Sequence, residues 1–429
     1  MTRVYHDVAC TVCGCVCDDL SLSVEDNRII AVENACELAT PWFLAQNRQP
    51  SAMATVNGQP ATLEVALDRA AALLAAAQSP LIYGLSRSTT EGQRAAVALA
   101  DLLGATIDTS ASTGHAPSIL ALQQVGESTC TLGEVRNRAD LVIFWGADPV
   151  RTHPRHLERY VPREVVGTYP EDRRERHIVV VDDHLTESAQ VADEFLAIPS
   201  ACHWEAFWML RLLLRGREPA TEAFAPLPAT FPLEGLRRLL ARMIRCRMGV
   251  IFFGSKLAET RLAHRTIEAL LQLVSDLNRS TRFYARRLRR YGDVAGADSV
   301  LTWQTGYPFG VNFSAGFPRY NPGEFTGPEM LTRREVDVCL IVGSETTQEL
   351  PSTARTVLRQ IPLILLDPPG VVSDFQPAVR FTTAVYGIHR SGTAYRMDEV
   401  AIPLRTILVT DYPSDGEILS MLCDRLRPE

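Results

Sequence analysis

The sequence predicts an α/β protein with doubly wound parallel-sheet lobes, and three observations carry that expectation. Six short, unbroken apolar runs occur at Leu81–Gly84, Leu141–Gly146, Ile178–Asp182, Val250–Gly254, Val338–Gly343 and Leu363–Asp367. Helical patterns separate them, and strands that are apolar on both faces belong to parallel sheets covered by helices. All six runs end in Gly or Asp, where doubly wound folds place ligand-binding loops.

The elements follow in order. Half of the ten cysteines lie in the first 36 residues, which marks residues 1–48 as a small cysteine-rich domain. A polar stretch from Gln46 to Gln59 leads into an amphipathic helix over Leu63–Ala77. The strand at 81–84 is followed by a helix over Glu91–Leu103. The strand at 250–254 is followed by a helix over Leu257–Leu277, and the likeness of the two units suggests duplicated lobes. The expected division is one lobe from 49–110 plus 243–400, a second from 111–242, and a tail at 401–429. Thr305–Pro328 is rich in Pro and Gly, and an irregular segment of that length is either functional or packed against another subunit, or a well-packed omega-like excursion.

Composition bounds the function. The chain has 429 residues, which at ~150 per domain suggests about three domains. Hydrophobic residues make up 46% and charged residues 22%, ample for a core. A net charge of −7 excludes bulk nucleic acid as the main partner, which needs a positive field. No apolar run approaches the ~18 residues of a membrane span. The opening Met1-Thr2-Arg3-Val4-Tyr5-His6-Asp7 lacks a secretory layout, so the expected location is the cytoplasm. Lys256 is the single lysine; the other cations are arginine. No strand end carries G-x-G-x-x-G or a P-loop motif, so a free-standing NAD or ATP enzyme is not supported.

The chemistry-bearing signal is Cys10-Thr11-Val12-Cys13-Gly14-Cys15-Val16-Cys17, which contains C-x2-C-x3-C, with Cys36 following. Three thiols from a tight loop and one from a distance is how a [4Fe–4S] cube is held. Structural zinc and an empty site are the alternatives. Cys10, Cys13, Cys17 and Cys36 are the expected ligands, with Cys15 surplus and pointing away. Cys130, Cys202, Cys246, Cys339 and Cys423 read as small buried hydrophobes. His153 and His156 read as a polar loop, Asp182-Asp183-His184 as a strand-end cap or a cation contact, and His203 to Trp208 as core.

The cysteine motif with Asp18-Asp19 resembles the N-terminus of the B subunit of formylmethanofuran dehydrogenase. So do Gln123–Asp148, Thr302–Gly323 and Gly392–Asp398, in order along nearly the whole chain. The resemblance implies a molybdopterin-oxidoreductase-like fold without the C-terminal β-barrel of that superfamily. It also implies a [4Fe–4S] cluster, a pterin-bound tungsten or molybdenum, and reduction of CO2 to formate.

One departure changes the expectation. The family places a metal-binding cysteine or selenocysteine directly before a histidine, and here that pair reads Gly114-His115. Glycine offers no thiolate to a soft metal. His115 and Arg289 match the family's active-site histidine and arginine and become vestigial. The family's cluster-proximal lysine has only Lys256 as a counterpart. The loss of the ligand, with the frame kept, resembles the B subunit of the bacterial formyltransferase/hydrolase complex. That complex moves a formyl group from tetrahydromethanopterin to a methanofuran-type carrier and hydrolyses it to formate. The expectation is therefore a catalytically silent, non-redox architectural subunit with tungsto- or molybdopterin absent. Its partners would be hydrolase, formyltransferase and C-type subunits. The alternative is an active tungsten- or molybdenum-pterin dehydrogenase. Arg286, Arg287 and Arg290 are candidates for gripping an anionic carrier, since Arg pairs carboxylates bidentately.

Overall fold

The computed structural model describes residues 1–47, 51–165, 167, 173–220, 227–228, 230–260 and 262–427. The chain forms two compact units, one from Met1–Thr113 with Arg290–Glu429, the other from Gly114–Arg289. Among the described residues, no helix is long and apolar enough to cross a membrane.

The first unit is built on a nine-stranded sheet. Its order is Arg319–Tyr320, Val311–Asn312, Thr106–Thr109, Pro80–Gly84, Val338–Val342, Leu363–Asp367, Val379–Thr382, Ala54–Val56 and Gln59–Ala61. The five strands from Thr106–Thr109 to Val379–Thr382 are parallel. Side chains alternate across them. Ile82, Leu340 and Ile364 pack under the helices Leu63–Ala76, Thr90–Leu103 and Asp415–Leu426. Leu81, Cys339 and Leu365 face the opposite layer with Leu331, Ala354 and Leu358. Hydroxyls start the first two helices: Thr62 accepts from Val65 N–H and Thr89 from Gly92 N–H.

The expected tail at 401–429 is, over its described residues 401–427, part of the folded unit. Ala401–Leu404 pairs with Gly392–Tyr395, and Asp415–Leu426 buries Ile418, Leu419, Leu422 and Cys423 in the core. A capping box of Ser414 and Glu417 starts that helix. Residues 3–33 form a three-stranded antiparallel sheet that belongs to this same unit, and the expected 48/49 boundary lies outside the described residues.

The Pro/Gly-rich segment is tied into the sheet edge. Val311–Asn312 pairs antiparallel with Thr106–Ile107. The buried Asp108 carboxylate accepts from the N–H groups of Gly310 at 2.9 Å and Gly327 at 2.6 Å. One acid thus pins the segment near both ends.

The second unit carries a five-stranded, wholly parallel sheet in the order Glu194–Ala197, His177–Asp182, Leu141–Trp145, Met248–Phe253, Arg282–Arg287. Helices Ala116–Val125, His203–Leu214, Leu233–Arg245 and Ala263–Leu277 share one core with it. The boundary expected at 242/243 therefore moves to 289/290, because Met248–Phe253 pairs with Leu141–Trp145 rather than joining the first sheet. The helix expected from Leu257 starts at Ala263; Ser255–Leu257 is a 3-10 turn, and Leu262 adopts φ 59°, which an α-helix cannot continue through.

Candidate functional site

The cysteine loop bridges the strands Arg3–Val8 and Leu20–Glu25. Cys10 N–H donates to the Cys17 carbonyl at 2.7 Å, which closes the loop, and Val16 N–H donates to the Cys13 carbonyl at 3.1 Å. Val16 is fully buried at φ 36°, a costly conformation for a β-branched residue that the surrounding packing must enforce. Cys36 joins from the turn ahead of helix Ala39–Ala45, its carbonyl accepting from Ala39 and Thr40 N–H, both at 3.0 Å.

Burial pushes the Cys10 thiol well up, and the nearby sulfurs of Cys13, Cys17 and Cys36 add to this. Burial also raises Cys36, again with Cys13 and Cys17 nearby. Cys10, Cys13, Cys17 and Cys36 all belong to the first unit and are the residues that would hold a [4Fe–4S] cluster, whose binding would turn the thiols into thiolates. Cys15 does not point away. Its thiol hydrogen-bonds to those of Cys13 and Cys17, which with burial raises it well above the usual range.

The loop is held from outside. Arg87 Nη1 donates to the carbonyls of Thr11 at 2.7 Å and Val12 at 3.2 Å. Met397 N–H donates to the Gly14 carbonyl at 2.9 Å. Gly292 lies so close that a Cβ there would stand 2.0 Å from the Thr11 carbonyl oxygen.

Gly114 ends the short helix Ala111–Gly114. The neighbouring hydroxyls are turned to the backbone. Ser112 Oγ donates to the Thr109 carbonyl at 3.0 Å and Thr113 Oγ1 to the Ser110 carbonyl at 2.8 Å. The residues at this position do not fit a tungsten or molybdenum centre of the thiolate-ligated kind, and no step through such a centre follows. His115 serves as the N-cap residue of helix Ala116–Val125, its carbonyl receiving Ser118 N–H at 3.0 Å.

Arg286 and Arg287 end the strand Arg282–Arg287, where neighbours point to opposite faces, and Arg289 and Arg290 follow it. Arg286 is buried, with Nη1 donating to Thr129 Oγ1 at 2.5 Å. Arg287 pairs with Glu127 at 3.3 Å, both side chains about 10% exposed. Arg289 is buried, and its carbonyl accepts from His153 Nε2 at 2.7 Å. Arg290 falls in the first unit, half exposed and 3.3 Å from Glu349.

His153 and His156 are both buried rather than part of a polar loop. His156 packs against Phe144, Phe252 and Tyr160, and burial lowers it to about 3. Asp182, Asp183 and His184 bring ligand atoms within 4.8 Å of one another at the end of their strand. Lys256 sits among them, its ammonium 2.5 Å from Asp182 and 3.1 Å from Asp183. Burial pushes the Asp182 carboxyl up and Lys256 draws it back down. Arg87, Asp108 and Gly292 escaped sequence reasoning. The only available signal was that Arg87 and Asp108 lie at or just past strand ends.

No protein-family model matches the chain. It is 37% identical over 438 residues to the B subunit of the tungsten-containing formylmethanofuran dehydrogenase 2 of Methanocaldococcus jannaschii, covering 100% of this chain and 99% of that protein. To its counterpart in Methanococcus maripaludis it is 35% identical, covering 99% of each. To the B subunit of the formyltransferase/hydrolase complex Fhc of Methylorubrum extorquens it is 26% identical, covering 68% of this chain and 74% of that one. Two solved structures share the fold. A chain of the M. extorquens formyltransferase/hydrolase complex with methylofuran has TM-score 0.71 at 23% identity, covering 87% of this chain and 98% of that one. Acetylene hydratase from Pelobacter acetylenicus has TM-score 0.66 at 10% identity, covering 97% and 69%. The full-length identity to the Methanocaldococcus and Methanococcus proteins places this chain in the family of formylmethanofuran dehydrogenase B subunits.

Proposed function

We propose that this chain is a non-redox, architectural B-type subunit of a formyltransferase/hydrolase complex. That complex would carry a formyl group from tetrahydromethanopterin through a methanofuran-type carrier to formate, with hydrolase, formyltransferase and C-type subunits as partners and the first two doing the chemistry. The single observation that carries the reading is Gly114. The position where the family sets its metal-binding thiolate has no side chain, and the adjacent hydroxyls are committed to backbone carbonyls. Without that ligand there is no terminus for electrons, and CO2 reduction has no site. Cys10, Cys13, Cys17 and Cys36 would hold a [4Fe–4S] cluster, which supplies one-electron transfer where a redox partner exists. Zinc is the competing occupant of the same thiols.

A second reading, an active metallopterin dehydrogenase, draws support from the 37% identity to a tungsten-containing enzyme along the whole chain. Metal analysis of the purified native complex separates the two. Iron, zinc or no metal, with formyl transfer and hydrolysis in the assembly, is the expected result. Stoichiometric tungsten or molybdenum with a pterin overturns the non-redox reading.

A further inference from the structure

We propose that Arg87 is a positioning residue that tunes the electron affinity of a cluster held by Cys10, Cys13, Cys17 and Cys36, acting through the Thr11–Val12 peptide. The proposal rests on the cluster reading of the four cysteines. The chain turns sharply after strand Pro80–Gly84, with buried Leu85 at φ 73°, and this brings Arg87 against the cysteine loop. The Arg87 side chain is 13% exposed. Nη1 donates to the Thr11 carbonyl at 2.7 Å, and Nε lies 2.5 Å from Glu345. The guanidinium also sits over the Tyr291 ring, 5.2 Å from its centroid. A Cβ at Gly343 would already stand 3.1 Å from the arginine's Cβ, so the stem has little room to move.

A trans peptide points its carbonyl and its N–H in opposite directions. The carbonyl of Thr11 accepts from Arg87 Nη1, and the N–H of the same peptide, that of Val12, points the other way and favours the Cys10 thiolate. The arginine, the peptide and the sulfur form one chain of donors. A cation at the carbonyl end polarises the peptide and strengthens its N–H as a donor to sulfur. A [4Fe–4S] centre with four thiolates goes from a net charge of −2 to −3 on gaining one electron. Hydrogen bonds to its sulfurs and a buried cation both favour the more negative state, so both raise the potential. Glu345 opposes this by offsetting the charge of Arg87.

The test is a redox titration, followed by electron paramagnetic resonance, of the purified complex reconstituted anaerobically with iron and sulfide. Arg87→Gln should lower the affinity for the electron about tenfold, or ~59 mV for a one-electron couple. Arg87→Lys should recover most of that, and Glu345→Gln should shift the potential upward. Wild-type potentials in both Arg87→Gln and Glu345→Gln, at full iron content, overturn the proposal. If Arg87→Gln does not keep its iron, Glu345→Gln decides alone, since it leaves the Arg87–Thr11 bond in place: an upward shift supports the proposal and an unchanged potential overturns it. A wild-type complex that takes up no iron on reconstitution overturns the cluster reading and the proposal with it, which no variant result can mimic.

Discussion

The ammonium of Lys256, the only lysine in the chain, lies 2.5 Å from Oδ1 of Asp182, whose side chain is fully buried. The sheet order explains the pairing: His177–Asp182 and Met248–Phe253 flank Leu141–Trp145, so the loops after them emerge at one sheet end. Lys256→Met strips a buried carboxylate of its cation and should cost about 3 kcal/mol. Adding Asp182→Asn to that variant should recover most of the loss. Urea denaturation of the two variants measures both effects, and equal midpoints in wild type and Lys256→Met would show that the pair is dispensable.

Asp108 should make stability fall as pH rises. Burial holds its carboxyl at about 7, against 3.8 for an ordinary aspartate. The folded state then binds this proton more tightly than the unfolded chain does. The contribution is fully present below 3.8, is lost as pH climbs to about 7, and is flat beyond. Asp108→Asn should remove that part of the slope. It should also cost about 1–3 kcal/mol at low pH, because one amide oxygen cannot serve both Gly310 and Gly327 as well as a carboxyl does. Denaturation midpoints measured across this pH range check both.

Gly292→Ala should disturb the cysteine loop. The new Cβ would meet the Thr11 carbonyl oxygen at 2.0 Å, and backbone cannot swing aside as a flexible side chain can. Overpacking of this kind costs about 1–3 kcal/mol. Iron retained after anaerobic reconstitution should fall with it. Gly133→Ala, on a helix where the nearest atom to the new Cβ is 3.8 Å away, is the control and should leave iron unchanged. Equal iron-to-protein ratios in the two variants would refute the effect.

The arginine run should split by burial. Arg286→Ala and Arg287→Ala remove partners of Thr129 and Glu127 inside the second unit and should each cost about 2 kcal/mol. Arg290→Ala breaks an exposed pair with Glu349 and should cost at most about 0.5–1 kcal/mol. If the run grips an anionic carrier, the triple variant should lose carrier more readily at high salt. Unchanged carrier content and salt dependence in it would leave the run a purely structural role.

The sequence by itself determined the six apolar strands at the centre of the two parallel sheets. Runs such as Leu141–Trp145 and Leu363–Asp367 are apolar on both faces, and only a buried parallel strand satisfies that pattern. Gly114 was equally legible, because a missing side chain needs no fold to interpret. Tertiary structure alone decided which sheet each strand joined. Met248–Phe253 carries the same apolar pattern as Val338–Val342, and its place beside Leu141–Trp145 is a matter of long-range pairing that local periodicity cannot encode. The same holds for the site. Arg87 and Thr11 are 76 residues apart, and His153 and Arg289 are 136 apart. Hydrogen bonds at such separations depend on how the chain returns on itself, so nothing in the neighbouring residues announces them.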